Sequence, residues 1–155
     1  MREQQVQTIR VVTFIVIGRH RRPSPQVLSS LQEQRLITAA STEPWLSVVG
    51  LMLRAGLRQS EALRLRNGHI DFDSSEVVIP PRGRRMKLPD AVLASLSELT
   101  SGREAGLPVF PDLYEGNAWR RGWRDLTRSA GLGDLRLHQL RATYVARYAA
   151  PHERI

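Results

Sequence analysis

The stretch LRQSEALRLRNGHIDFDSSEVVI, residues 57–79, changes its hydrophobic period partway along. Its first part has the spacing of a short helix over Ser60–Arg66, with Leu63 facing inward. From Ile70 onward, apolar and polar residues alternate, and residues 73–75 predict a turn before a strand that ends at Ile79. The sequence therefore predicts that a helical region meets a small antiparallel sheet here.

The sequence on either side predicts a further strand after this stretch and two helices before it. A turn at residues 82–84 leads to a second strand that carries Met86 and Leu88. Before the quoted stretch, apolar spacing predicts a helix over Leu31–Ala40 with Ser29 as its cap, and another after Pro44 that is ended by Gly56 and carries the stripe Trp45, Val48, Val49 and Met52. We expect a fold that is mainly α with a small antiparallel β-sheet, in the α+β class.

Three further helices are predicted downstream. The first carries Val92, Leu96 and Leu99, and a loop through Pro108 and Pro111 follows it. The clearest apolar stripe of the chain then predicts a helix closed by Gly131; its members are Trp119, Trp123, Leu126 and Ala130. The last helix begins near Leu137.

Length and composition restrict the class of protein. The chain has 155 residues, which suits one domain, and no cysteine, which excludes disulfides and thiolate metal sites. Its longest apolar run, Val11–Ile17, is too short to cross a bilayer, and no signal-peptide cleavage site follows it. We expect a cytoplasmic protein without membrane contact. Because Pro23 and Pro25 interrupt the pattern, residues 1–25 are predicted to be an N-terminal appendage or edge strand before a domain spanning 26–155.

Arginine dominates the charge of the chain. The formal net charge is +8, and 22 of the 23 basic residues are arginine. The planar guanidinium of arginine binds two phosphate oxygens at once. On the helix with the tryptophans, four arginines share the side away from the apolar stripe: Arg120, Arg121, Arg124 and Arg128. This side is either a solvated charged face or a DNA-binding face, and the pattern alone leaves both interpretations open.

His138 and Arg141 lie one helical turn apart, which suits the binding of one phosphate from two directions. Such a pair is not specific by itself, so the order of the motifs matters more. That order is LRQSEALRLRNGHIDFDSSEVVI, then the basic hairpin, then VFPDLYEGNAWRRGWRDLTRSAGL, then LHQLRATY. From about Gln26 to Ala150 the chain resembles the catalytic domain of the tyrosine recombinases, or phage integrases.

The resemblance implies a mechanism without a metal or another cofactor. In such enzymes a tyrosine attacks a DNA phosphate, forming a 3′-phosphotyrosyl link and a free 5′-hydroxyl. Arg58 and Arg141 match the two arginines that bind the non-bridging oxygens. His138 matches the histidine that shares phosphate binding and proton transfer, and Glu61 matches the acidic residue that positions the first arginine.

The sequence departs from the family at the hairpin lysine that protonates the leaving oxygen. Arg82 lies nearest that position, and arginine is a poor proton donor because its pKa exceeds about 12. Lys87 lies farther along the second strand and would have to reach back. We favour the loss of leaving-group protonation, with Lys87 as the alternative donor. The neighbouring Arg84 and Arg85 are expected to contact DNA.

A second departure concerns the nucleophile, which the family carries on a later helix roughly thirty residues after the second arginine. This sequence ends 14 residues after Arg141, so we expect a catalytic domain truncated before its tyrosine. Tyr144 and Tyr148 share the helix of His138 and are interpreted as packing residues, and Tyr114 is no better placed.

The leading hypothesis is therefore a fragment of an integrase that binds double-stranded DNA and cannot cleave it alone. Strand cleavage stays open if another recombinase protomer donates its tyrosine. The alternatives are a non-catalytic DNA-binding regulator and an inert remnant of a prophage or mobile element. No metal-ligand spacing and no glycine-rich phosphate loop is found, so no cofactor is expected.

Overall fold

The computed structural model describes residues 26–149 as a mainly helical domain with a three-stranded antiparallel sheet, which confirms the predicted α+β class. The predicted appendage over residues 1–25 lies outside the described residues. The helices are α1 (Ser30–Ala39), α2 (Trp45–Leu53), α3 (Gln59–Leu63), α4 (Asp90–Thr100), α5 (Pro111–Tyr114), α6 (Ala118–Ser129) and α7 (His138–Arg147). The strands are β1 (Ile70–Asp71), β2 (Glu76–Ile79) and β3 (Arg84–Lys87).

Helix α1 begins where the sequence predicts. The Ser29 hydroxyl accepts a hydrogen bond from the backbone N–H of Gln32 at 3.2 Å, and the Gln32 side chain accepts one from the N–H of Ser29 at 2.8 Å. This reciprocal pair satisfies two backbone donors that the first turn of a helix leaves without partners. The chain thus enters α1 at a fixed residue.

Helix α2 is the centre of the domain. Its apolar sequence, WLSVVGLML, buries residues on most of its surface, and it packs against α3, α4 and α7. Gly50 lets α4 approach closely, because a Cβ at that position would lie 3.0 Å from Val92. A helix that is apolar nearly all round must be covered on all sides, which explains its central place.

The sheet lies with one face on this core. Val77 and Ile79 of the middle strand β2 are buried, and β1 and β3 pair with β2 on either side. The sequence predicts alternation as far as Phe72, but strand β1 ends at Asp71. Phe72 is 43% exposed. The strand predicted through Leu88 ends one residue earlier, although Leu88 itself is buried.

Two local predictions were wrong, one because of pairing between distant residues. Helix α3 ends at Leu63 rather than Arg66, since the Leu65 carbonyl accepts a hydrogen bond from the N–H of Val109 at 2.8 Å. The loop predicted through Pro111 contains the short helix α5, which this proline begins. The first departure arises where residues 107–109 lie against the end of α3, and the second arises within residues 110–114 themselves.

The tryptophan helix packs as the sequence predicts. Trp123 of α6 is buried against Trp45 of α2, with ring centroids 5.7 Å apart. Its indole N–H donates to the carbonyl oxygen of Leu135 at 2.8 Å, which holds the segment leading into α7. Among residues 26–149 no helix is long and apolar enough to span a membrane.

Candidate functional site

Arg58 and Glu61 form the first part of the site, at the start of α3. The backbone N–H of Arg58 donates to Glu61 Oε2 at 2.7 Å, and the Arg58 guanidinium donates to Oε1 at 3.2 Å. The i, i+3 spacing makes both bonds possible within one helical turn. The Arg58 side chain is 61% exposed whereas that of Glu61 is 15% exposed, so the arginine faces solvent above a largely covered carboxylate.

Arg84 joins this pair from the sheet. One nitrogen of its guanidinium, Nη2, donates to both carboxylate oxygens of Glu61 at 2.8 Å. Burial by itself would raise the pKa of Glu61, but the backbone bond from Arg58 and the charges of Arg84 and Arg58 outweigh it and lower the pKa. An ionised carboxylate therefore connects α3 to the β2–β3 hairpin.

Arg141 reaches the same region from α7. Its guanidinium donates to the carbonyl oxygen of Gly56, two residues before Arg58. Burial lowers the pKa of Arg141, and the positive charges of Arg58 and Arg84 lower it further. We call Arg58, Arg84 and Arg141 the arginine cluster. Like charges from three separate elements are thus crowded around one carboxylate, Glu61.

A cavity of about 430 Å³ opens beside the cluster, between α3 and the hairpin turn. Its lining residues are Arg58, Glu61, Ile79, Pro80, Pro81, Arg82 and Arg84. Arg82 therefore borders the cavity. Gly83 supports the turn with a φ of +68°, a conformation that favours glycine.

Lys87 lies outside this cavity. Its Nζ donates to the Ser74 carbonyl at 2.7 Å and lies 3.6 Å from a Glu76 carboxylate oxygen. Because successive strand residues face opposite sides, Lys87 and Arg85 share the face of β3 away from Arg84. Arg85 likewise pairs with Glu76, at 3.0 Å. Neither side chain lines the cavity beside the arginine cluster.

His138 is the first residue of α7 and is exposed, one turn before Arg141. Within the described residues no hydrogen bond or ion pair links its imidazole to the arginine cluster. The segment before it is held by the bond from the Trp123 indole described above and by a bond from the Arg136 N–H to the Gln139 side chain at 2.8 Å. His138 is thus placed at the surface by an ordered segment.

The four arginines of α6 form an exposed basic face, which we call the α6 face: Arg120, Arg121, Arg124 and Arg128. The Arg120 guanidinium lies 5.5 Å from the centre of the Trp119 ring. In the part of the chain that the structure describes, no carboxylate forms a salt bridge with any of the four. Across residues 26–149, the positive charge of this face is thus not compensated by direct ion pairs.

Each tyrosine has a distinct environment. The Tyr148 hydroxyl donates to Glu33 Oε1 at 2.6 Å. The Tyr144 ring lies against Gly56, where a Cβ would be only 2.2 Å from the ring. Tyr114, the last residue of α5, is 40% exposed.

Sequence reasoning missed two carboxylate clusters. The pairing of Arg84 with Glu61 joins residues 23 positions apart and has no local signature. Glu33 of α1 is 4% exposed and binds Arg54 at 2.8 Å and Arg147 at 2.6 Å. Its position three residues before the buried Leu36 was the one available signal that it faces inward. Over residues 26–149, no group of three or more His, Asp and Glu side chains is arranged to hold a metal ion.

Comparison with known proteins agrees with this architecture. Residues 26–151 match the phage integrase family. A solved structure of XerA recombinase superposes with a TM-score of 0.66 at 22% sequence identity, covering 80% of this chain and 49% of that one, so the chain spans about half the length of that structure. At this identity the likeness shows the fold alone. No curated protein sequence matches the chain. The family match covers most of the chain, which therefore belongs to the phage integrase family of tyrosine recombinases.

Proposed function

We propose that this chain binds double-stranded DNA and holds one backbone phosphate between Arg58 and Arg141, with His138 beside them. The observation that carries the proposal is the convergence of the arginine cluster. Arg58 and Arg84 bind the same carboxylate, Glu61, and Arg141 binds the Gly56 carbonyl two residues before Arg58. Three positive charges therefore share one region, and burial together with the charges of Arg58 and Arg84 lowers the pKa of Arg141. A bound phosphate would relieve this repulsion and accept hydrogen bonds from both guanidiniums.

The α6 face extends the proposed contact with DNA. Arg120, Arg124 and Arg128 follow one another at every fourth residue, so they form a row about 12 Å long on an ideal helix. These side chains are exposed, and such a row suits contact with several phosphates rather than with one base. We propose that it supplies affinity that does not depend on DNA sequence.

The environments of the tyrosines favour binding without cleavage by this chain. The hydroxyl of Tyr148 is engaged by Glu33, and the Tyr144 ring packs against Gly56. Arg82 borders the cavity in place of a lysine, and a guanidinium donates a proton poorly. These observations support DNA binding in which neither Tyr144 nor Tyr148 acts as the nucleophile, whether the chain serves as a regulator or acts with a tyrosine from another recombinase protomer.

A binding titration tests the phosphate site. We expect R58A and R141A each to weaken binding to a short DNA duplex by about tenfold or more, because each removes a charged hydrogen-bond donor from the phosphate. R35A on α1 removes the same charge outside the cluster and is expected to weaken binding about twofold. Equal effects of all three substitutions would contradict the proposed site.

A covalent trap tests the absence of cleavage. The chain is incubated with nicked DNA whose cleaved end cannot be religated, and protein-DNA adducts are sought under denaturing conditions. We expect none. An adduct on Tyr114, Tyr144 or Tyr148 would overturn the non-catalytic proposal, and an adduct formed only with an added full-length recombinase would identify the donor of the tyrosine.

A further inference from the structure

Glu61 is shared between two arginines that come from different elements. It accepts hydrogen bonds from the backbone and guanidinium of Arg58 and from the guanidinium of Arg84. With Arg84 present, the two arginines and one carboxylate carry a net charge of about +1. Without it, Glu61 would compensate the charge of Arg58 alone, and an approaching phosphate would meet a neutral pair.

Arg84 is suited to this role by its position on β3. Its Nη2 atom occupies both oxygens of Glu61, at 2.8 Å each, and its side chain is 38% exposed. The bond also connects the strand that follows the hairpin turn to the residue that binds Arg58. The cavity lies between these two elements, so the Arg84–Glu61 bond helps to determine its shape.

The opposite face of the same strand offers a natural comparison. Arg85 pairs with a different carboxylate, Glu76, at 3.0 Å, and its side chain is 57% exposed. It has the same charge and almost the same place in the chain as Arg84, but it does not line the cavity. Any effect of general positive charge on DNA binding should therefore be similar for Arg84 and Arg85.

We propose that Arg84 is a positioning residue for the phosphate site, which acts by sharing the charge of Glu61 so that Arg58 stays available to phosphate. The inference rests on the proposed function, because it needs Arg58 to bind a phosphate. The proposal gives Arg84 a specific role through Glu61, which the general positive charge of the hairpin would not provide.

Duplex DNA binding by charge-matched variants provides the first test. R84Q is expected to weaken binding by about tenfold or more, because it removes one positive charge and leaves Glu61 to neutralise Arg58. R85Q removes an equal charge from the other face and is expected to weaken binding about twofold. A lysine at position 84 should preserve most of the affinity, since a single nitrogen already makes both bonds to Glu61.

A rescue experiment separates positioning from bulk charge and from a merely structural role. Adding E61Q to R84Q removes the carboxylate that neutralises Arg58, while the amide oxygen can still accept the Arg58 N–H. We expect affinity to recover by about fivefold or more. Adding E76Q to R85Q changes the net charge by the same amount as adding E61Q to R84Q. In this matched pair, DNA-binding affinity should recover only about twofold. Equal recovery in the two pairs, or no recovery in the first, would overturn the proposal.

Two controls make every outcome informative. Thermal unfolding verifies that R84Q is folded during binding, and R84M, which keeps the apolar stem, replaces it if the glutamine variant unfolds. If neither variant folds, Arg84 is structural and the proposal is wrong. If R58A and R141A behave like R35A, the proposed function fails; if those two weaken binding but R84Q equals R85Q, only the role of Arg84 fails.

Discussion

Arg141 donates a hydrogen bond from its guanidinium to the carbonyl oxygen of Gly56, although the two residues lie 85 positions apart. The bond joins α7 to the segment between α2 and α3, immediately before Arg58. Gly56 also adopts a φ of +70°, and its missing side chain leaves room for the Tyr144 ring. One glycine thus sets how closely the helix of Arg141 approaches the start of α3.

We predict that Gly56→Ala destabilises the protein by about 3 kcal/mol or more, because the left-handed backbone and the contact with Tyr144 both oppose a side chain. Gly83→Ala is the matched control. Its φ of +68° is almost the same, but no atom lies within 4 Å of the position a Cβ would take. It should cost about 1–2 kcal/mol in urea unfolding, and equal losses would show that the approach of α7 does not depend on Gly56.

Glu33 is expected to contribute strongly to stability. The substitution Glu33→Gln leaves Arg54 and Arg147 without the carboxylate that binds both of them, and should cost about 1–3 kcal/mol because it weakens charge-assisted hydrogen bonds whose arginine partners stay partly exposed to solvent. Urea unfolding measures the loss. Glu98→Gln, on the exposed side of α4, should leave the free energy of unfolding close to wild type. A similar, small effect of both substitutions would show that the Glu33 cluster contributes little.

The α6 face is expected to determine much of the salt dependence of DNA binding. Each of R120Q, R124Q and R128Q should reduce the slope of log affinity against log salt by roughly 0.9, the value for one phosphate contact. Binding titrations at several salt concentrations measure this slope. R35Q on α1 serves as the control. If the three α6 variants give the same slope as R35Q, the α6 face remains solvated in the complex.

Glu61 is expected to contribute a pH-dependent part of the stability. Its pKa is lower in the folded protein than its ordinary value of 4.5, so the unfolded chain binds the proton more tightly. The stabilisation is therefore fully present above that value and disappears as the pH falls through the lower folded pKa. The difference in unfolding free energy between wild type and E61Q should shrink between about pH 6 and pH 3. A constant difference would contradict the prediction.

The local pattern of the sequence was enough to predict most elements of the fold. Ser29 marks the start of α1, the tryptophan stripe predicts α6, and the change of period after Arg66 predicts the sheet. These signals are strong because capping and amphipathic burial act between residues a few positions apart. The prediction for the end of α3 failed because that boundary depends on pairing with residues 107–109, some forty positions farther along, whereas α5 was missed although its signal, Pro111 at the first helical position, is local.

In the candidate site, too, some relationships follow from the local sequence and others depend on tertiary packing. The pairing of Arg58 with Glu61 follows from i, i+3 geometry, and the order of motifs was sufficient to indicate the family. The sequence alone could not show that Arg84 binds Glu61, that Lys87 turns to the opposite face, or that Arg141 meets Gly56. Those relationships depend on strand register and on the packing of α7 against α2. The sequence thus determined which charged groups the protein has and which helical turns carry them. Tertiary packing decided which of these groups share one region, because the free energy that brings distant segments together comes from the buried core.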